Sequence, residues 1–289
     1  MLKHRLPTGA ALIALALVIG WLDERLEHSA HVRGLALALA TAPVVALASM
    51  ELASMLRACA MRTPRWLAPA SAVAGLAIGA VSTLTPADYH VSTVSTPLIA
   101  LWLGVTLLAL AWPRRTEGVL LGASGAMLIL VYLGLIPSSY LVVRQHETAW
   151  TVMALILIAK SCDIGAYFTG MSIGKHKLIP WLSPGKTWEG LIGGMLTAGL
   201  VAMGFALIPK DSEVGAALLF PLSPAASVAL GMVVGGVGQA GDLAVSLFKR
   251  DAGRKDASMT LPGFGGVLDV IDSLIFVGPA AHWLIMLLG

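Results

Sequence analysis

Charged residues are scarce in this sequence. Lys, Arg, Asp and Glu together make up 12% of its 289 residues, whereas hydrophobic residues make up 57%. About a quarter of the residues in a soluble globular domain are charged, so this composition excludes an ordinary soluble protein. A mean hydropathy of +0.84 points the same way. The sequence therefore predicts an all-α, polytopic integral membrane protein.

Cysteine is also rare, with two residues in the chain. Cys59 and Cys162 lie in unrelated segments without metal-site spacing, so we expect neither a disulfide framework nor a thiolate centre. The seven histidines are scattered in the same way. The net charge of +3 comes from basic residues dispersed over short loops, which argues against a nucleic-acid partner.

Apolar stretches of about bilayer length divide the chain, and they predict about nine transmembrane helices. The first follows the basic sequence MLKHRLP and resembles a signal peptide, but no convincing cleavage site follows, so we interpret it as an uncleaved helix. The others lie at about 34–50, 67–85, 97–112, 118–136, 149–171, 190–208, 225–248 and 267–288. We assign about five helices to an N-terminal region, 1–145, and about four to a catalytic region, 146–289.

The basic residues predict the orientation of these helices. With the N-terminus inside, 14 of the 19 Lys and Arg residues fall in inside loops and 4 in outside loops, while Lys160 lies within a span. Cytoplasmic loops carry such an excess of positive charge. We therefore predict a multi-pass protein of the inner (cytoplasmic) membrane, with the N-terminus and both motif segments described below on the cytoplasmic side.

Residues 241–273 carry an unusual amount of charge between two apolar stretches. An acidic side chain at membrane depth costs roughly 2.5–3.5 kcal/mol, so several such groups need a polar cavity and a cation. Asp242 and Ser246 are four residues apart, and Asp269 and Asp272 are three apart, so each pair shares a helix face. Oxygen ligands without converging His or Cys favour Mg²⁺. We therefore predict a Mg²⁺ site on these four residues.

The loop within this segment is rich in basic residues and glycine. Its basic side chains could neutralise phosphate charge, and they are Lys249, Arg250, Arg254 and Lys255. Three glycines open the following helix and leave its free N–H groups near the same place, and they are Gly263, Gly265 and Gly266. Phosphate groups are therefore the expected ligands.

The segment resembles the signature of the phosphatidate cytidylyltransferases, which reads S, x, apolar, K, R, four residues, K, D, then P-x-H-G-G and D-R-x-D. The residues in register are Ser246, Lys249, Arg250, Lys255, Asp256, Pro262, Gly265, Gly266, Asp269 and Asp272. Phe264 and Val270 stand where the family has His and Arg. A second block, DIGAYFTG from Asp163 and SPGKTWEG from Ser183, resembles the family's upstream motif. Together the two blocks cover roughly a fifth of the chain.

The resemblance implies a nucleotidyltransferase that forms CDP-diacylglycerol and pyrophosphate from CTP and phosphatidic acid in phospholipid biosynthesis. The residues expected to be catalytic are Asp242, Asp269, Lys249 and Arg250. The residues expected to bind substrate are Asp163, Ser183, Lys186, Thr187, Ser246, Lys255, Asp256, Gly265 and Gly266. The expected cofactor is Mg²⁺, and the expected partners are CTP, phosphatidic acid and membrane lipids, with a homodimer as a further option.

Other interpretations fit parts of the sequence. A CTP-dependent lipid or polyprenol kinase would share the basic loop, and an ion-coupled transporter would share the intramembrane acids. The string GVGQAG matches a dinucleotide-binding pattern but lies inside a span without a preceding strand, so we reject that fold. PGKTWEG lacks a glycine that a P-loop requires, because residue 180 is Pro180.

Structural ion pairs are the alternative to functional roles for the acidic residues. Asp163 could simply pair with Lys160, three residues earlier on the same helix. Asp242 and Asp269 could pair with Lys249 or Arg250.

Overall fold

The chain folds almost entirely into helices. A computed structural model describes residues 2–289 except 31, 84–90, 113, 115, 219, 262 and 264. The helices are α1 Leu2–Ala30, α2 Leu35–Ala58, α3 Leu67–Thr83, α4 Val91–Ala111, α5 Val119–Ile129, α6 Ser139–His146, α7 Ala149–Ile173, α8 Trp188–Ala206, α9 Glu213–Leu218, α10 Pro224–Asp251, α11 Val267–Ile271 and α12 Val277–Leu288. A π-helical segment, Leu130–Leu135, follows α5, and a 3₁₀ turn, Asp272–Leu274, follows α11. The fold is therefore all-α, as predicted.

Seven helical stretches in the described part of the chain are long and apolar enough to cross a membrane. They are Leu35–Ala58, Val94–Ala111, Val119–His146, Ala149–Ile173, Trp188–Ala206, Pro224–Asp251 and Val267–Leu288. The stretch Leu67–Val81 in α3 is apolar but shorter, and α1 is not among the seven. The prediction of a polytopic membrane protein is confirmed, whereas the number nine is not.

Small residues let α7, α8 and α10 pack closely together. A Cβ atom added to Gly194 of α8 would lie 2.7 Å from the carbonyl oxygen of Cys162 on α7. A Cβ atom on Gly235 of α10 would lie 3.0 Å from the Cys162 sulfur. The first distance is shorter than real Cβ contacts and the second is a tight one, so these glycines permit the close approach that membrane helices use for association.

Side-chain caps fix where these helices begin. Thr148 and Thr187 accept hydrogen bonds from the backbone N–H groups of Thr151 and Gly190, which opens α7 and α8. Ser223 caps α10, whose first residue is proline. A hydroxyl at this position satisfies one of the donors that a helix N-terminus leaves free. The short hairpin of β1, Lys177–Ile179, and β2, Ser183–Thr187, joins α7 to α8.

A buried ion-pair network ties α1 to α6. The Arg144 side chain is 1% exposed, and its Nε lies 2.6 Å from Oδ2 of the fully buried Asp23. Its Nη2 lies 2.6 Å from Oε2 of Glu27, and its Nη1 donates to the Glu147 carbonyl oxygen. Buried charges persist in proteins when they are paired and hydrogen-bonded in this way. The network therefore fixes the N-terminal helix against the rest of the fold.

Candidate active site

A cavity of about 560 Å³ opens between α7, α8, α10, the hairpin and the α11 segment. Its polar and charged lining residues are Lys160, Asp163, Tyr167, Lys186, Thr187, Gln239, Asp242, Asp269 and Asp272. The two motif segments are separated by 50 residues of chain, from 191 to 240, yet both contribute to this lining. The fold therefore gathers six of the predicted site residues around one space.

Asp242 of α10 and Lys186 of β2 form an ion pair across the cavity. The Lys186 Nζ lies 2.7 Å from Asp242 Oδ2 and 3.4 Å from the carbonyl oxygen of Gln239. The hairpin holds Lys186 in place, because its neighbour Thr187 pairs with Lys177 in β1 and also caps α8. The alternative of an ion pair between Asp242 and Lys249 or Arg250 is not what the described residues show, because the hairpin lysine, Lys186, is the partner of Asp242.

Asp272 faces the same space from the 3₁₀ turn. Its Oδ1 accepts a 2.6 Å hydrogen bond from the Ser273 N–H, and its carboxyl group interacts with that of Asp242. Two ionised carboxylates that interact directly repel each other, and a cation bound between them relieves the repulsion. Asp242 and Asp272 are therefore arranged as a carboxylate pair supplied by two different helical segments.

Asp269 is engaged by the loop around it. Its Oδ1 lies 2.8 Å from the Lys249 Nζ, and its Oδ2 accepts hydrogen bonds from the N–H groups of Ala257 and Gly266, at 3.0 and 2.9 Å. The ion-pair alternative for Asp269 is therefore present in the structure. The carboxylate also lines the cavity, so it connects the basic loop to the space where ligands would lie.

The carboxylate pair fits a hard divalent cation that completes its shell with substrate. No group of three or more His, Cys, Asp or Glu residues within the described ranges is arranged to hold a metal by itself. Mg²⁺ is usually bound by one or two carboxylates together with water and substrate phosphates, rather than by an all-protein cage. Asp242 and Asp272 supply that donor set.

Asp163 is held by three neighbours at the deep end of the cavity. Its Oδ1 accepts a 2.8 Å hydrogen bond from Gln239 Nε2, and its Oδ2 lies 3.4 Å from Ser273 Oγ. The Lys160 Nζ lies 3.6 Å from the same carboxylate. The alternative ion pair between Asp163 and Lys160 is therefore present, but at 3.6 Å it is longer than the 2.8 Å hydrogen bond from Gln239.

The other predicted site residues do not line the cavity, and they are Ser183, Ser246, Lys249, Arg250, Lys255, Asp256, Gly265 and Gly266. Lys249 acts on the site through Asp269. Arg250 is exposed and donates to the Arg254 carbonyl oxygen at 3.2 Å, and Lys255 and Asp256 are exposed in the same loop. Phe264, one of the two departures from the family signature, lies outside the described residues.

Glu51 of α2 is a site-supporting residue that the sequence did not reveal. The side chain is 8% exposed, and its two oxygens accept hydrogen bonds from the N–H groups of Val267 and Leu268, at 3.0 and 2.8 Å. Ser258 Oγ donates to it at 2.6 Å. A side chain on Gly266 would collide with the carboxylate. The one available signal was a lone acid at the end of an apolar stretch.

Comparison with known proteins gives the site its context. The model of the cytidylyltransferase family matches residues 3–288. The chain is similar to the phosphatidate cytidylyltransferase of Haemophilus influenzae, with 33% identity over 207 residues, 66% of this chain and 68% of that protein. The corresponding protein of Pseudomonas aeruginosa is 35% identical over 204 residues, 67% and 70% of the two chains. The uncharacterized protein YnbB of Escherichia coli is 39% identical over 137 residues, 47% and 43%.

Proposed function

The chain belongs to the cytidylyltransferase family, and from that premise we propose that it transfers the cytidylyl group of CTP to phosphatidic acid. The products are CDP-diacylglycerol and pyrophosphate. One observation carries this proposal: both motif segments converge on a single cavity that holds a carboxylate pair and two lysines. Such a lining suits the phosphates of a nucleotide and of a lipid.

The reaction needs little proton transfer. An oxygen of the lipid phosphate, already an anion at neutral pH, attacks the α-phosphorus of CTP. A new P–O bond forms as the bond to the β-phosphate oxygen breaks, and pyrophosphate leaves with the electron pair. Catalysis then depends on positioning and on charge neutralisation, as in other phosphoryl and nucleotidyl transfers.

Several residues in and around the cavity have a defined task in this scheme. Asp242 and Asp272 would hold Mg²⁺, which when bound neutralises charge on the phosphates. Lys186 orients Asp242 in the free protein and lies where it can contact the nucleotide phosphates. Asp269 and Lys249 hold the basic loop beside the cavity. Thr187 fixes the end of the hairpin that carries Lys186.

The exposed part of the basic loop extends the binding surface. Arg250, Lys255 and Asp256 would contact the solvent-facing part of CTP, and Ser246 would act from α10 one turn beyond Asp242. We further propose that the cavity opens to the cytoplasm, as the distribution of basic residues predicts, and that α1 and α3 complete nine spans in the inner membrane. A homodimer remains our prediction for the assembled protein.

A product assay tests the proposal. Purified protein is incubated with phosphatidic acid, Mg²⁺ and each nucleoside triphosphate in turn, and pyrophosphate and nucleotide-linked lipid are measured. We expect CTP to give equal amounts of pyrophosphate and CDP-diacylglycerol. Release of CDP with a phosphorylated lipid would instead show a kinase. Failure with every nucleotide, in protein shown to be folded, would refute the enzyme assignment.

A further inference from the structure

Lys160 lies far from either end of a membrane-spanning helix. It is thirteen residues before Ile173, the last residue of the 25-residue α7, which places it about 20 Å along the helix axis at the usual rise per residue. A lysine at such depth is costly to insert, and such residues mark substrate or ion pathways. The proposed reaction does not yet give Lys160 a task.

The ammonium group of Lys160 is fixed in position but incompletely hydrogen-bonded. Its Nζ donates to Ser273 Oγ at 2.7 Å and to the Val270 carbonyl oxygen at 2.9 Å. Asp163 Oδ2, at 3.6 Å, lies beyond hydrogen-bonding distance. An ammonium has three donors, so among the described residues one donor has no acceptor. The side chain is 34% exposed and lines the cavity, so a ligand can reach that donor.

Charge pairing also sets Lys160 apart from the other lysines of the site. Lys186 lies 2.7 Å from the carboxylate of Asp242, and Lys249 lies 2.8 Å from that of Asp269. Lys160 has no carboxylate partner that close among the described residues, because Asp163 forms its shortest contact with Gln239. Of the two lysines that line the cavity within the described ranges, Lys160 is therefore the one without a carboxylate oxygen at hydrogen-bonding distance.

The position of Lys160 indicates which anion it meets. Lys186 is carried by the hairpin that joins α7 to α8, whereas Lys160 projects from the middle of α7. Tyr167 and Met171 also line the cavity, and both side chains are 65% exposed on an apolar helix. Exposed apolar surface of this kind on a membrane helix suits contact with lipid chains, so a lipid lying along α7 can direct its phosphate group into the cavity toward Lys160.

We propose that Lys160 binds the phosphate group of the lipid substrate. The lipid phosphate accepts a hydrogen bond from the remaining N–H of the ammonium group. The hydrogen bonds to Ser273 and Val270 hold the lysine beside the carboxylate pair. This inference rests on the proposed function, since it assigns one of the two substrates of that reaction to Lys160.

Three variants test the assignment. Lys160→Gln removes the charge but keeps an amide that can donate to Ser273 or Val270, Lys160→Arg keeps the charge, and Lys210→Gln changes an exposed lysine outside the cavity and the hairpin. The KM for phosphatidic acid and the KM for CTP are measured separately. We expect Lys160→Gln to raise the KM for phosphatidic acid at least tenfold and to leave the KM for CTP within twofold. Lys160→Arg should recover most of the loss, and Lys210→Gln should match the unmodified protein.

Other results would overturn the inference. Equal increases in both KM values, or an increase for CTP alone, would place Lys160 on the nucleotide or give it a purely structural role. Unchanged constants in Lys160→Gln would show that it binds neither substrate. If the unmodified protein has no activity, the proposed function fails first. Calorimetric binding of dioctanoyl phosphatidic acid in the absence of CTP then tests the role of Lys160 separately. If Lys160 binds the lipid phosphate, Lys160→Gln must raise the Kd for this lipid at least tenfold.

Discussion

The carboxylate of Glu51 joins α2 to the loop that precedes α11, and replacing it tests whether this contact organises the site. Four groups donate to it, and they are the N–H groups of Val267 and Leu268 and the hydroxyls of Ser258 and Thr260. Glu51→Gln preserves the shape of the side chain while removing its charge. One carboxylate oxygen is then replaced by an NH₂ group. This group cannot accept the hydrogen bonds that the oxygen accepted.

The expected cost follows from these contacts. Hydrogen bonds to charged groups contribute about 1.5–3 kcal/mol each, against about 1 kcal/mol for neutral ones. Glutamine keeps one acceptor oxygen, so we expect a loss of about 2–4 kcal/mol in the free energy of unfolding. In a chain of this size that corresponds to a fall in Tm of at least about 4 °C. Because the loop carries Asp269, we also expect kcat to fall at least tenfold.

Thermal unfolding in detergent and CDP-lipid formation by the folded protein measure the two effects. Glu117→Gln is the matched control, because Glu117 is an exposed acid in a loop and makes no contact with the site. It should change neither quantity. A Glu51→Gln protein with unchanged Tm and kcat would show that the loop is positioned without α2, and would refute this reasoning.

Three further predictions concern the metal, the scaffold and the orientation. Asp242→Asn should remove nearly all turnover and weaken the Mg²⁺ dependence, since it deletes a charged ligand while keeping size; retention of most activity would contradict the carboxylate pair. Arg144→Met should lower the free energy of unfolding by about 3–5 kcal/mol, because it leaves Asp23 buried and unpaired; an unchanged Tm would contradict this. Cysteines introduced at Ala252 and Ala216 should react with an impermeant reagent from the cytoplasmic and the opposite side, respectively, and reversed labelling would overturn the orientation.

Much of the site could be predicted from local sequence because its chemistry comes from short segments. Spacing on a helix places Asp269 and Asp272 near each other, and the upstream block supplies Lys186 and Thr187. The structure brings these residues to one cavity. Local spacing could not show that Asp272 would pair with Asp242 while Asp269 bonds to the loop, since that depends on where α11 gives way to a 3₁₀ turn.

Contacts between distant segments could not be predicted from the sequence. Glu51 accepts hydrogen bonds from N–H groups that lie more than 200 residues later in the chain. No periodicity in the sequence connects these positions. The ion pair between Asp23 and Arg144 likewise spans 121 residues. The number of membrane spans could not be predicted from hydropathy alone. Hydropathy does not distinguish a short apolar helix such as Leu67–Val81 from one that crosses the bilayer.

Position 270, where the chain departs from the family signature, shows that a linear motif does not account for all the charges around this cavity. With Val270 in place of the signature Arg, the motif alone implies the loss of a positive charge near Asp269 and Asp272. The structure places the Lys160 ammonium 2.9 Å from the Val270 carbonyl oxygen, so a cation from α7 lies beside this segment. A signature records the side chains of one segment, whereas the cavity takes its charge from several. The substitution at position 270 therefore does not by itself argue against catalysis by this chain.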